Sequence, residues 1–408
     1  MDRLNKLTFA LDKISSWSLY LLIFCLPFSK SIVEITIVTA LLSFVALKLI
    51  KRQPLLGRSY IEIALYIFLA ANLISLFNTQ YFALSLKALF TKSIKFALLF
   101  LITKEIINTR EKLNNFLAMA LLSCAIILID GFVQNFYLHR DFLHMYPAFK
   151  YYPETPYDQT FPTASFPFPN DYAAWILIFI FPVGIYALFV KCGWRNRLGM
   201  GAIFIALLCS LILTKARGAW MGFFTTLALI PFLRLKRSLV LLLIIIILFS
   251  AVSVNKFLIS DILSIVSIND RVVMWKNGWE IFKKHPVIGN GLNTFFAEYK
   301  KVRNDSDKNK RGSYAHNCYL QMAADTGLLG LISFLLFVTA VLAAGFKALK
   351  IIKDPLYYSL ILGISLGLIA FLVHSAGDTN LYSLPLAALF WLSAGILSAT
   401  VKLAKADT

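Results

Sequence analysis

The chain has 408 residues, 59% of them apolar, with a mean hydropathy of +0.73 and a formal net charge of +19. That apolar share lies well above the ~45–50% of a soluble domain and excludes a water-soluble globule. The basic residues are spread through short connections between apolar runs, so they read as a membrane-topology signal and not as a nucleic-acid surface.

Each apolar run is long enough to cross hydrocarbon, which takes about 17–25 residues. Helices satisfy their own backbone hydrogen bonds in lipid. The expected fold is therefore an all-α polytopic membrane protein. Twelve spans are predicted near 13–27, 31–50, 61–77, 82–103, 113–135, 169–190, 198–214, 218–233, 239–255, 316–346, 356–376 and 381–401. The first run lacks a small-residue cleavage site and reads as a retained anchor. Five cysteines (Cys25, Cys124, Cys192, Cys209, Cys318), mostly inside apolar runs, give neither a disulfide framework nor a metal-ligand spacing.

Alternate connections carry the positive charge: Lys48, Lys51, Arg52 and Arg58; Lys104, Arg110 and Lys112; Lys191, Arg195 and Arg197; Arg234, Lys236 and Arg237; Lys347, Lys350 and Lys353. The opposite short connections, such as Asn78-Thr79-Gln80 and Asp378-Thr379-Asn380, are nearly free of it. Both termini are thus expected in the cytoplasm. In a bacterial inner membrane the long polar segment would face the periplasm. The chain divides into 1–255 with nine spans, 256–315 as a long periplasmic loop, and 316–408 with three spans and a cytoplasmic tail.

Residues 136–168 are rich in Pro and aromatic residues (Tyr146-Pro147, Tyr151-Tyr152-Pro153, Phe166-Pro167-Phe168-Pro169) and are expected to form an irregular cap at the periplasmic interface. In the long loop, 271–284 put Trp275, Trp279 and Phe282 at helical spacing, as an interfacial helix lying on membrane lipids would. Residues 303–312 are polar and charged, the composition of a mobile lobe. No internal repeat is visible.

The candidate chemistry collects at the periplasmic ends. His316 stands beside Asn317 where a new apolar helix begins, and two readings are open: a neutral imidazole able to accept a hydroxyl proton, or a capping side chain. Arg217 lies in the tight break Thr214-Lys215-Ala216-Arg217-Gly218-Ala219-Trp220. Two cations in a short periplasmic connection oppose the charge rule and favour an anion site over an Arg snorkelling to lipid phosphate. Arg271 opens the interfacial helix, with anion binding and headgroup contact equally open. Lys92 and Lys95, with Lys87, fall within one apolar run and either line a cavity for an anionic headgroup or belong to an interfacial stretch. Asp378 and Asn380, with His374 a turn earlier, form a polar cluster in the last outer turn, where Asp378 is either an arginine's partner or a helix cap. No phosphate loop, HExxH, Asp-x-Asp metal pair or nucleophilic Ser motif occurs.

Arg271…Trp275…Trp279-Glu280-Ile281…His285-Pro286…Gly289…Gly291, followed by His316-Asn317…Leu320-Gln321…Gly327-Leu328-Leu329-Gly330, resembles the O-antigen ligase/polymerase family of bacterial membrane glycosyltransferases. Arg217-Gly218-Ala219-Trp220 and Pro169-Asn170-Asp171-Tyr172-Ala173 fit the same pattern. The likeness covers most of 165–395; the first spans match in hydropathy alone. It implies a GT-C-like helical fold and a glycan donor carried on undecaprenyl diphosphate. In the ligases the acceptor is a hydroxyl of the lipid A–core oligosaccharide, and the transfer inverts the anomeric centre without metal, nucleotide or other cofactor. By position His316 would be the general base, Arg217 and Arg271 would hold the diphosphate with Lys215 beside them, and Asn317, Asp378, Asn170, Lys92 and Lys95 would support. The same residues suit a repeat-unit polymerase, from which the basic loop weakly favours a ligase. A transporter or flippase of lipid-linked glycans is the reading from another class, and it calls for repeats, broken mid-membrane helices and midplane charges.

Overall fold

The computed structural model describes residues 2–55, 57–143, 145–149, 160–190, 193–230, 263–303 and 314–407. In order its helices are α1 (Asp2–Cys25), α2 (Lys30–Ile50), α3 (Tyr60–Ile74), α4 (Phe82–Ala88), α5 (Lys95–Ile106), α6 (Arg110–Val133), α7 (Pro169–Phe189), α8 (Trp194–Thr214), α9 (Arg217–Leu229), α10 (Leu263–Lys284), α11 (Phe295–Val302), α12 (Cys318–Ala348), α13 (Pro355–His374) and α14 (Leu384–Ala406). Among the described residues there is no strand, only two isolated bridges, Arg140 with Pro147 and Phe149 with Phe161.

Nine described helices are long and apolar enough to cross a membrane. The expected count was twelve. The run at 82–103 is divided by a π-helical turn over Leu89–Ile94 and the described part of α9 is 13 residues long; the span expected at 239–255 lies outside the described residues. Starts and stops follow local chemistry. Ser59 and Glu62 form a reciprocal capping box on α3, Thr109 caps α6, Asp354 caps α13 ahead of Pro355, and Asn317 caps α12.

The alternation of basic connections is visible in space. Glu105 at the end of α5 takes both Lys48 of α2 (3.2 Å) and Lys402 of α14 (3.4 Å), and Arg110 at the start of α6 meets Asp354 before α13 (3.0 Å). Lys104 pairs with the buried Glu62 at 2.7 Å. These ends form one basic face, and the Asn78 and Asp378 connections lie at the other, distal one.

The core is built on α7, α13 and α14. Of the most apolar stretch of α14, 94% is buried by protein, against 22% for α8, so α14 is central and α8 peripheral. Close approach depends on small residues, the rule where no hydrophobic force separates helix from lipid. A Cβ on Gly222 would run into the carbonyl of Ala370, and one on Gly218 would meet His374 Cδ2 at 2.8 Å. Gly218 and Gly222 are one turn apart and lay α9 flat on α13.

The cap at 136–168, described apart from Met145's neighbour at 144 and residues 150–159, is tied down by two α6 side chains. Gln134 accepts from the amides of Thr163 (2.7 Å) and Ala164 (2.8 Å), and Asp130 accepts from the amide of Phe142 (2.7 Å) and the hydroxyl of Ser165 (2.8 Å).

In the long segment, α10 turns Trp275 and Trp279 outward, as an interfacial helix would. Met274, Ile281 and Phe282 are buried in a second small core with Phe295, Tyr299, Ala315, Ala323 and Ala324. Phe282, its ring centre 5.1 Å from that of Trp279, forms the covered edge of the aromatic stripe, packed toward the first half of α12. The expected lobe at 303–312 lies outside the described residues beyond Arg303.

That second core is fastened by a break in α12. Gly327 has φ 67 and ψ −173, a region open essentially to glycine alone. The break frees carbonyls and amides that the 286–291 loop then takes. Asn290 and Gly291 donate to Ala324 (3.1 Å) and Asp325 (2.8 Å), and Leu328 and Leu329 donate to Pro286 (2.8 Å) and Val287 (3.1 Å). Asn290 Nδ2 adds bonds to the carbonyls of Ile281 and Ala324. Gly327→Ala should therefore destabilise the fold by ~1–3 kcal/mol from backbone strain alone, and further because its Cβ would strike the Val287 carbonyl. Denaturation midpoints in detergent check this, with Gly201→Ala, whose Cβ meets nothing within 4 Å, expected to shift little.

Candidate functional site

The distal ends of α7, α9, α10, α12 and α13 converge on Asp378, in the turn between α13 and α14. Asn170, in the first turn of α7, donates Nδ2 to Asp378 Oδ2 at 2.6 Å. Arg271 of α10 brings Nη2 to 3.8 Å of the same oxygen. His316, just before α12, sets Nδ1 3.5 Å from Oδ1, and the amide of Thr379 donates to Oδ1 at 2.8 Å. The turn is locked to α12 by Cys318, whose amide donates to the Ser375 carbonyl (2.9 Å) and whose thiol donates to the Asp378 carbonyl (3.3 Å).

His316 itself has a left-handed backbone, φ 50, uncommon for a residue with a side chain. Two contacts hold it there. Asn317 turns Oδ1 to the amides of Tyr319 (3.0 Å) and Leu320 (2.9 Å), and Trp275 Nε1 donates to the His316 carbonyl at 3.2 Å. Asn317 is thus a helix cap, and capping is not the role of His316. The 3.5 Å separation from Asp378 is long for a hydrogen bond, and buried Nδ1 has no closer partner. A carboxylate on that side is placed to orient the ring through Nδ1.

Burial alone would raise the Asp378 carboxyl. The facing His316 ring, His374 and the Arg271 guanidinium outweigh it and hold the group well below the usual carboxylate range. The cluster therefore carries a fixed negative charge beneath two cationic or polarisable side chains.

Arg217 is the first residue of α9 and makes no ion pair or hydrogen bond among the described residues. Its neighbour Gly218 abuts His374, the last residue of α13, so the arginine stands at the edge of the Asp378 cluster with its guanidinium uncommitted. Lys215, in a left-handed turn (φ 49), sets its ammonium 4.9 Å from the centre of the Phe161 ring in the cap. Lys92 and Lys95 do not act as a pair. The π-helical turn over Leu89–Ile94 separates them, and Lys92 donates to Asn293 Oδ1 (2.6 Å) while Lys95 joins Glu34 (2.6 Å). Lys92 also lies 5.6 Å from the centre of the Tyr382 ring, four residues past Asp378, so it borders the site where Lys95 does not.

The sequence placed His374 one turn before Asp378, in the same polar cluster, but gave no sign that Cys318 ties that turn to α12. His374 is fully enclosed, with Nδ1 3.3 Å from Asn380 Nδ2, and it links α9 to the Asp378 turn.

Residues 202–335 match the family model described as O-antigen ligase. The resemblance read from the motifs is thereby shown over that third of the chain. The matched segment contains Arg217, Arg271 and His316; it begins after Asn170 and ends before Asp378. A search of curated proteins found no match to the chain. The apolar helices make this a multi-pass membrane protein, and a third of it is similar to the O-antigen ligase family.

Proposed function

We propose that the chain is an O-antigen ligase of the bacterial inner membrane, GT-C-like in architecture, with both termini cytoplasmic and the Asp378 cluster at the periplasmic face. The observation that carries this reading is the meeting of His316, Asp378, Arg271 and the α9 end bearing Arg217 at the face opposite the basic connections. The donor is a glycan on undecaprenyl diphosphate, and the acceptor is a hydroxyl of the lipid A–core oligosaccharide.

In the step itself, His316 Nε2 takes the acceptor hydroxyl proton as the oxygen attacks the anomeric carbon. The bond from that carbon to the diphosphate oxygen breaks, its electron pair leaves with the diphosphate, and the centre inverts. Asp378 stabilises the imidazolium so formed. Negative charge grows on the leaving diphosphate, and Arg217 and Arg271 offer guanidiniums that can bind it bidentately. Asn170 keeps Asp378 turned toward the imidazole.

Against a transporter, three acidic residues of the spans have structural partners: Glu34 holds Lys95, Glu62 holds Lys104, and Asp130 holds the cap. The helix break at Gly327 is filled by the chain's own 286–291 loop and not left open to a substrate.

The test is ligation by purified variants. Arg217→Lys and Arg271→Lys should each lower donor use tenfold or more, since an ammonium cannot reproduce a planar fork, while thermal midpoints stay unchanged. Full turnover and unchanged donor affinity in either Lys variant would remove that residue from the diphosphate site.

A further inference from the structure

A cavity of about 660 Å³ lies away from the Asp378 cluster, between α1, α6, α7, α8, α13 and α14. Its floor is apolar: Ile23, Ile178 and Leu389 close the deep end. Its mouth, at the basic face, is polar, with Asn114 near the start of α6 and Arg195 and Asn196 in the first turn of α8.

We propose that this cavity holds one acyl chain of an anionic glycerophospholipid, its phosphate seated on Arg195, Asn196 and the first turn of α8. Four observations lead there. The guanidinium of Arg195 lies 5.6 Å from the centre of the Trp194 ring and makes no ion pair among the described residues. The N-cap of α8 is Gly193, which provides no side-chain cap, so the first amides of the helix are open to an anion. A Cβ on Gly199, one turn deeper in the lining, would meet nothing within 4 Å, so the space beside it is empty. The depth also fits. From Arg195 to Ile203 is eight residues, about 12 Å of helix, close to one leaflet of a hydrocarbon core about 30 Å thick.

Depth and charge choose the occupant. A chain of one leaflet's length fills the space from mouth to floor, whereas a longer isoprenoid would have to leave past Ile23 and Ile178. The lone arginine favours an anionic over a zwitterionic headgroup. Trp194, exposed beside the mouth, is the residue type that anchors a helix at headgroup level. The weak burial of α8 by protein is then made up by lipid. The inference rests on the basic face alone and is independent of the glycan-transfer reading.

The experiment is native mass spectrometry of the full-length protein in detergent, titrated with phosphatidylglycerol, phosphatidylethanolamine and undecaprenyl phosphate. The wild type should hold one phosphatidylglycerol in preference to phosphatidylethanolamine. Arg195→Ala, at an exposed position that leaves the fold intact, should weaken phosphatidylglycerol about fivefold and leave phosphatidylethanolamine unchanged. Gly199→Phe should fill the cavity and abolish retention of both. Equal binding of the two phospholipids, insensitive to Arg195→Ala, would overturn the proposal. So would displacement of phosphatidylglycerol by undecaprenyl phosphate at a site that Gly199→Phe blocks, because the occupant would then be an isoprenoid.

Discussion

His316→Gln should abolish glycan transfer while the lipid-linked donor still binds. General base catalysis supplies about 10²–10⁴-fold, and glutamine keeps a hydrogen-bonding group but accepts no proton. The backbone complicates a simple alanine test, because position 316 has φ 50. His316→Asn separates the two effects: asparagine tolerates the left-handed region better than most residues, so an Asn variant should fold as well as the wild type and be as inactive as the Gln variant. The readouts are single-turnover transfer and equilibrium donor binding on purified protein. Near-normal turnover in either variant would make His316 a positioning group.

Asp378→Asn should cost roughly 10²–10³ in transfer rate with little change in donor affinity. A triad carboxylate in close contact with its imidazole is worth ~10⁴, and the 3.5 Å separation here makes the coupling weaker. Asparagine can still meet Asn170 and the Thr379 amide, so the turn survives and the charge is what is lost. The sign of the pH dependence follows from the depressed carboxyl. Its contribution to stability is present above the unfolded value of ~3.9 and is lost only as pH falls through the lower folded value. Lowering the pH to about 5 should therefore not mimic the Asn variant in the wild type. A stability loss between pH 7 and pH 5 that disappears in Asp378→Asn would show that the carboxyl is not held low.

The grouping of basic residues was legible because its signal is local: Lys48, Lys104 and Arg110 lie at or beside short connections, and Glu105 and Asp354 bring Lys48 and Arg110 to one face. Arg217, Arg271 and His316 were legible as polar residues at the ends of apolar runs. What joins them was not. Asn170 and Asp378 are 208 residues apart, and no period or propensity couples them. The outward face of α10 was legible from the spacing of Trp275 and Trp279; that the second small core covers Phe282 beside them was not, because its partners Ala323 and Ala324 lie about forty residues on. Lys92 and Lys95 looked like neighbours on an α-helix, and a π-helical turn sends them to different partners. Gly327 stood in the motif without a stated reason. Its conformation and its contact with Val287 supply one.

The most direct measurement is transfer in proteoliposomes holding only the purified chain, undecaprenyl-diphosphate-linked glycan and rough lipopolysaccharide, in EDTA and without nucleotide. The account predicts a ladder of glycan on the lipid A–core, undecaprenyl diphosphate released in equal amount, and neither from His316→Gln. Elongated lipid-linked glycan with no ladder would make the chain a polymerase. Donor crossing the bilayer without bond cleavage, or transfer that returns only when Mg²⁺ or Mn²⁺ is restored, would contradict the mechanism.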